Sequence, residues 1–181
     1  MHMMKLALIT TTALIVGSAS AHAITVKKRI EAPGLPPEVW AVSGAEFCMI
    51  KHWHPAVAEC EETKEGDVTF RTLTLKDGGA KIKEKLTGKD DLSYTYEIVE
   101  SPLPVKNYKS KLWVEVDDEP DRTVIYWQSD FDANGKSDEE ARKTIFDILG
   151  AGVKGIKKDA IAAWDKKHPE EAAGAPKGDD D

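Results

Sequence analysis

Apolar positions alternate weakly over residues 24–32 and stop at Pro33-Gly34-Leu35-Pro36. Alternation sends successive side chains to opposite faces, so this segment reads as a first strand. Pro36-Pro37-Glu38-Val39-Trp40-Ala41-Val42 then opens a short helix, with proline in the first turn, where its missing N–H is not needed. A second short helix is expected over 45–51, limited by Pro55. From Glu59 the chain turns to strand character. Strands are expected over 68–75, 80–86, 92–99, 108–116 and 123–129. The clusters Lys76-Asp77-Gly78-Gly79, Gly88-Lys89-Asp90-Asp91 and Asp117-Asp118-Glu119-Pro120-Asp121 separate them as tight turns.

The pattern then switches to a helical period. Ala141, Ile145, Ile148, Leu149, Gly152, Val153, Ile156, Ala160 and Trp164 recur at three- and four-residue spacings. Ser137 with Glu140 forms a capping box at the start. A helix over 138–164 would be roughly 40 Å long. The order is strand, two short helices, a run of strands, one long amphipathic helix. This is an α+β arrangement with six or seven antiparallel strands, and a strongly twisted, curved sheet can wrap around such a C-terminal helix. Small residues on that helix let its backbone approach the sheet.

Composition changes the picture at the two ends. Lys5, an apolar run over 6–16 and a small-x-small pattern ending at Ala23 read as a secretory signal over 1–23. Its apolar run is too short to span a bilayer, so stable membrane insertion is not expected. The expected mature domain is 24–164, followed by an acidic, disordered tail over 165–181, and its expected location is the periplasm. The formal net charge is −7 over 181 residues. That acidity argues against nucleic acid as a partner, because phosphate contacts need a basic surface. An oxidising compartment permits a bond between the two cysteines, Cys48 and Cys60; two buried thiols are the alternative.

Candidate chemistry follows from strand faces. Ala80, Ile82, Glu84 and Leu86 share a face, and their apolar members turn it inward, carrying Glu84 with them. Leu92, Tyr94, Tyr96 and Ile98 share another, as do Arg71, Leu73 and Leu75. A buried Glu84 needs a partner, and Arg71 on the neighbouring hairpin strand is the natural one. The pair is either a polar anchor for a ligand carbonyl or carboxylate, or a structural salt bridge. His52, Trp53 and His54, beside Pro55, sit where the mouth of a pocket would be. They are candidates for gating or for a general base, against surface histidines flanking a core tryptophan. Trp127 is either pocket lining or core.

Asp130-Phe131-Asp132-Ala133-Asn134-Gly135 imitates the start of a calcium loop, but Ala141 stands where a bidentate glutamate is needed. A capped turn from sheet to helix is the better account. No phosphate loop, dinucleotide fingerprint, nucleophile elbow or HExxH motif is present, so neither a cofactor nor a metal is expected.

With these elements in order, the chain resembles the START-like, Bet v 1-like superfamily, and within it the bacterial polyketide cyclase/dehydrase and lipid-transport group. The resemblance rests on Pro36-Pro37-Glu38-Val39-Trp40, Trp53-His54-Pro55, the stretch from Gly66 to Arg71, Gly78-Gly79 and Glu84. It continues through Tyr94-Thr95-Tyr96-Glu97, the segment from Trp127 to Phe131, and Gly152-Val153-Lys154-Gly155-Ile156-Lys157. It implies a helix-grip fold with a pocket between sheet and long helix. For such a pocket, the strand faces and the histidine segment give Arg71, Glu84, Tyr94, Tyr96, Trp53, His54 and Trp127 as the candidate ligand-binding residues. A narrower resemblance is to small periplasmic accessory proteins encoded with methanol dehydrogenase in methylotrophs. It implies a non-enzymatic role in methanol oxidation, with methanol dehydrogenase and its cytochrome c acceptor as partners. A carrier of a small apolar ligand or lipid, or a cyclase-like or hydrolase-like enzyme, are the alternatives.

Overall fold

The computed structural model describes residues 23–170. The expected signal segment, apart from Ala23, and residues 171–181 of the expected tail lie outside that range. Seven strands form one antiparallel sheet in the order β1-β7-β6-β5-β4-β3-β2. They are β1 (Ile24–Pro33), β2 (Val57–Glu65), β3 (Val68–Leu75), β4 (Lys81–Asp90), β5 (Ser93–Glu100), β6 (Val105–Val116) and β7 (Arg122–Ala133). Helix α1 (Pro36–Ser43), a 3-10 turn (Phe47–Met49) and α2 (Ile50–Trp53) follow β1, and α3 (Asp138–Lys167) ends the fold. The helix-grip arrangement that the resemblance implies is present.

The long helix is built as its spacing predicts. Ser137 accepts from the Glu140 N–H at 3.2 Å, and Glu140 Oε2 accepts from the Ser137 N–H at 3.1 Å. These bonds serve two of the backbone donors that a helix start leaves free. Ala141, Ile145, Leu149, Gly152, Val153, Ile156 and Ala160 form its buried stripe against β1, β7 and the short helices. The helix runs three residues past the expected end, so Asp165, Lys166 and Lys167 belong to its last turn and not to a tail.

Several boundaries differ from the expected ones. The second short helix becomes a 3-10 turn followed by one α turn and runs to Trp53. Gly88 does not end a strand: β4 continues to Asp90 through a register shift between Leu86 and Gly88. Strand β7 continues through Asp130 and Asp132 to Ala133. This disposes of the calcium loop, because Asp130 accepts from Gln128 and from Thr25, and Asp132 from Asn107. Among the described residues no cluster of three metal-ligating side chains exists. The seventh strand, β2, is an exposed edge strand whose apolar alternation is too sparse to mark its bounds. Cys60 on β2 is bonded to Cys48 in the 3-10 turn, with Cα atoms 5.6 Å apart. The bond ties the helical cover to the sheet edge. Among the described residues no helix is long and apolar enough to cross a membrane.

Candidate functional site

The concave face of the sheet carries the inward residues of β3, β4 and β5, as their alternation predicts. Arg71 faces Glu84 across the β3–β4 ladder, and the two are directly paired in register. Arg71 is 0% exposed and Glu84 4%. The Arg71 Nε–H donates to Glu84 Oε2 at 2.5 Å, and its Nη1–H donates to the Phe47 carbonyl. The guanidinium also lies over the Phe47 ring, 4.0 Å from its centroid, with the Tyr96 ring at 5.0 Å and Tyr94 at 5.6 Å. Burial alone would lower the Arg71 pKa; the Glu84 carboxylate outweighs burial and raises it. Burial raises the Glu84 pKa, and Arg71 opposes that rise without cancelling it. The Tyr94 hydroxyl is buried without a hydrogen-bond partner, and desolvation raises its pKa.

A second buried network runs beside the pair. Trp127 Nε1–H is shared between the Tyr96 hydroxyl at 3.1 Å and Ser110 Oγ at 3.0 Å. Ser110 donates to the Gln128 carbonyl, and Tyr108 bonds Ser129 at 2.6 Å. Sequence reasoning missed Tyr108, Ser110 and Ser129. Their signal was available: Tyr108, Ser110 and Leu112 alternate on one face of β6. Polar residues on an apolar face must find partners when buried.

The histidine segment divides. His52 is exposed, whereas His54 is buried. The two therefore share no site, because α2 ends between them and turns them apart. His54 Nε2 lies 3.2 Å from the Ile148 carbonyl and must donate to it. Its Nδ1 accepts from the Ala56 N–H at 3.2 Å. Both ring nitrogens are thus engaged in a neutral imidazole, which leaves no free lone pair for a base. Trp53 donates its indole N–H to the Ser43 carbonyl at 2.9 Å and packs edge-on against Trp127.

Desolvation lowers the His54 pKa, and Arg71 and Lys76 push the same way. A histidine held neutral in the fold takes up its proton on unfolding. The stability this neutrality carries is present above the unfolded pKa, about 6.5, and is lost as pH falls below it toward the lower folded value. Urea unfolding at pH 7.5 and 5.5 should show a drop in stability on acidification, and the drop should be smaller in His54→Gln. An equal drop in both would assign it to other groups.

Between these side chains, α2 and α3 lies a cavity of about 120 Å³. Ile82, Ile98, Leu103, Ile145 and Ile148 give it apolar walls, and His54, Glu84, Tyr96, Tyr108 and Trp127 supply its polar edges. Ile98, Leu103 and Ile148 are partly exposed at its rim. Of the expected ligand residues, Glu84, Tyr96, His54 and Trp127 line this cavity, whereas Arg71, Tyr94 and Trp53 do not. Two glycines of α3 determine how close the helix comes. A Cβ at Gly152 would stand 2.3 Å from the Trp127 ring, and one at Gly155 would stand 1.8 Å from the Trp53 carbonyl oxygen.

Comparison with known proteins agrees with this architecture. The protein XoxI from Bacillus cereus is 30% identical, with 75% of this chain covering 94% of that one at a TM-score of 0.69. The Zhui aromatase/cyclase from Streptomyces sp. R1128 is 16% identical, with 86% of this chain covering all of that one at a TM-score of 0.63. Norcoclaurine synthase from Thalictrum flavum, solved with dopamine and hydroxybenzaldehyde, is 20% identical, with coverages of 85% and 95% and a TM-score of 0.56. The latter two likenesses concern the fold alone. No curated protein matches the chain. The family model described as polyketide cyclase/dehydrase and lipid transport matches residues 22–160. A match over that span, on a seven-stranded sheet gripping a long helix, makes the chain a member of the polyketide cyclase/dehydrase and lipid-transport family.

Proposed function

We propose that this protein is a periplasmic, non-enzymatic accessory protein of methanol oxidation that assists methanol dehydrogenase and its cytochrome c partner. The geometric observation that carries the non-enzymatic part is the prior engagement of the candidate acid–base groups. His54 is bonded through both nitrogens, and Glu84 is held by Arg71. So engaged, His54 has no free lone pair to take a proton, and Glu84 is charge-paired with Arg71 through Oε2. The cavity volume of about 120 Å³ is also small for a polyketide substrate. The resemblance to accessory proteins encoded with methanol dehydrogenase supplies the partner, and the likeness to XoxI is in keeping with it. Retention of the dehydrogenase or the cytochrome from periplasmic extract on immobilised protein is the expected result, weaker at high salt. Retention of neither, with or without salt, removes the proposal.

A second reading, a carrier of a small apolar ligand, is favoured by the position of the cavity between sheet and long helix. It leaves the docking role intact, since the cavity lies inside the fold and docking uses its surface.

A further inference from the structure

The sequence offers the Arg71–Glu84 pair either as a polar anchor for a ligand carbonyl or carboxylate or as a structural salt bridge. The structure separates the two members. Arg71 is turned away from the cavity, bonded to Glu84 and the Phe47 carbonyl. Glu84 is the member of the pair that lines the cavity, and Arg71 occupies only its Oε2. Among the described residues no donor is bonded to Glu84 Oε1, and the side chain keeps 6% of its surface accessible. The other polar edges already hold partners: both His54 nitrogens are engaged by Ile148 and Ala56, the Tyr96 oxygen accepts from Trp127, and Tyr108 shares a hydrogen bond with Ser129. The cavity therefore offers an acceptor inside apolar walls.

Charge narrows the class of ligand. Arg71 already balances Glu84, so an ammonium would bury a second positive charge without a counter-charge. A carboxylate would set a second negative charge against Glu84. An ether or aldehyde carries no O–H and would leave Oε1 dry and unpaired. Size narrows it further. A cavity of 150 Å³ accommodates benzene, so about 120 Å³ suits roughly five heavy atoms.

We propose that this cavity binds a short-chain, uncharged alcohol, whose hydroxyl donates to Glu84 Oε1 while its alkyl body lies against Ile82, Ile98 and Ile148. The inference rests on the second reading above, that the cavity takes a ligand, and not on the docking role.

The test titrates the full chain with 1-alkanols from methanol to 1-hexanol, following the Trp127 and Trp53 indole N–H resonances. Methyl propyl ether, butyrate and butylammonium serve as comparators matched to 1-butanol in size, and xenon as a purely apolar probe. Affinity should rise about fourfold per methylene to 1-butanol and fall by 1-hexanol, as expected for apolar burial in a bounded space. The ether should bind about tenfold or more weakly than its isomer 1-butanol, since it leaves a buried acceptor unpaired. Leu103→Phe, which fills the cavity from its rim without touching the ion pair, should abolish the butanol shifts. Equal binding of ether and alcohol, preference for either ion, or undiminished binding by Leu103→Phe would overturn the alcohol assignment alone. No response to any probe, xenon included, would overturn the ligand-carrier reading with it.

Discussion

Glu84→Ala is expected to destabilise the fold by about 3–5 kcal/mol, the range for removing one partner of a buried ion pair. Arg71 is wholly buried and cannot shed its proton, so the substitution strands a positive charge among Phe47, Tyr94 and Tyr96. The aromatic faces offset part of that cost and not the whole of it. For a domain of this size the melting temperature should fall by roughly 10 °C or more. The double variant Arg71→Met/Glu84→Leu should recover at least half the loss, because it removes both charges and keeps the volume. Full recovery is not expected, since the Phe47 carbonyl loses the donor that Arg71 supplies. Urea unfolding of the two single variants and the double variant measures the coupling. A single-variant loss below about 1 kcal/mol would mean that water reaches the pair, as at a surface salt bridge.

The second large effect concerns Gly155→Ala. On an exposed helix this change is worth up to about 1 kcal/mol in favour of alanine. Here the added Cβ would meet the Trp53 carbonyl oxygen at 1.8 Å, and a backbone atom cannot swing aside as a side chain can. Either α3 lifts from α2, or α2 moves with Trp53 and the cover of the cavity. Overpacking of this kind costs about 1–3 kcal/mol and sometimes more, so a net loss of roughly 2 kcal/mol is expected despite the gain in helix propensity. Thermal unfolding checks it. The direction is the informative part: a variant more stable than wild type would show that α3 does not sit against Trp53. Because α2 carries Ile50 and abuts His54, the same variant should also shift the Trp127 indole resonance.

These two sites differ in how legible they were. Glu84 and Arg71 could be placed on inward faces from alternation alone, because a strand period of two makes each side chain's face follow from its neighbours. Pairing them needed only the hairpin between β3 and β4, and its turn is marked by Asp77-Gly78-Gly79. The capping box and apolar stripe of α3 were legible for the same reason: their partners lie within a few residues. Gly155 was visible as a glycine in a helix, but its reason lies in Trp53, about a hundred positions earlier in the chain. The histidines show the same divide. Two residues of one type, two apart, have opposite fates because α2 stops between them and Ile148 offers a carbonyl to only one. The loop resembling a calcium site failed as a motif because its first acidic residues continue β7, where cross-strand partners claim their oxygens.

By itself, the sequence determined the element order, the antiparallel sheet gripping a long helix, the inward direction of Arg71, Glu84, Tyr94 and Tyr96, and the family. The element order and the inward directions follow from local periods and from signals a few residues long; the grip and the family are what the resemblance implies, carried by motifs spread from Pro36 to Lys157. Only the tertiary structure decided that Cys48 and Cys60 are bonded, that His54 is used up by backbone groups, and that Glu84 rather than Arg71 meets the cavity. Those outcomes depend on which distant backbone atom comes within hydrogen-bonding reach, and on the volume left when a curved sheet closes on a helix. Periodicity tells which way a side chain points; it carries no information on what waits there.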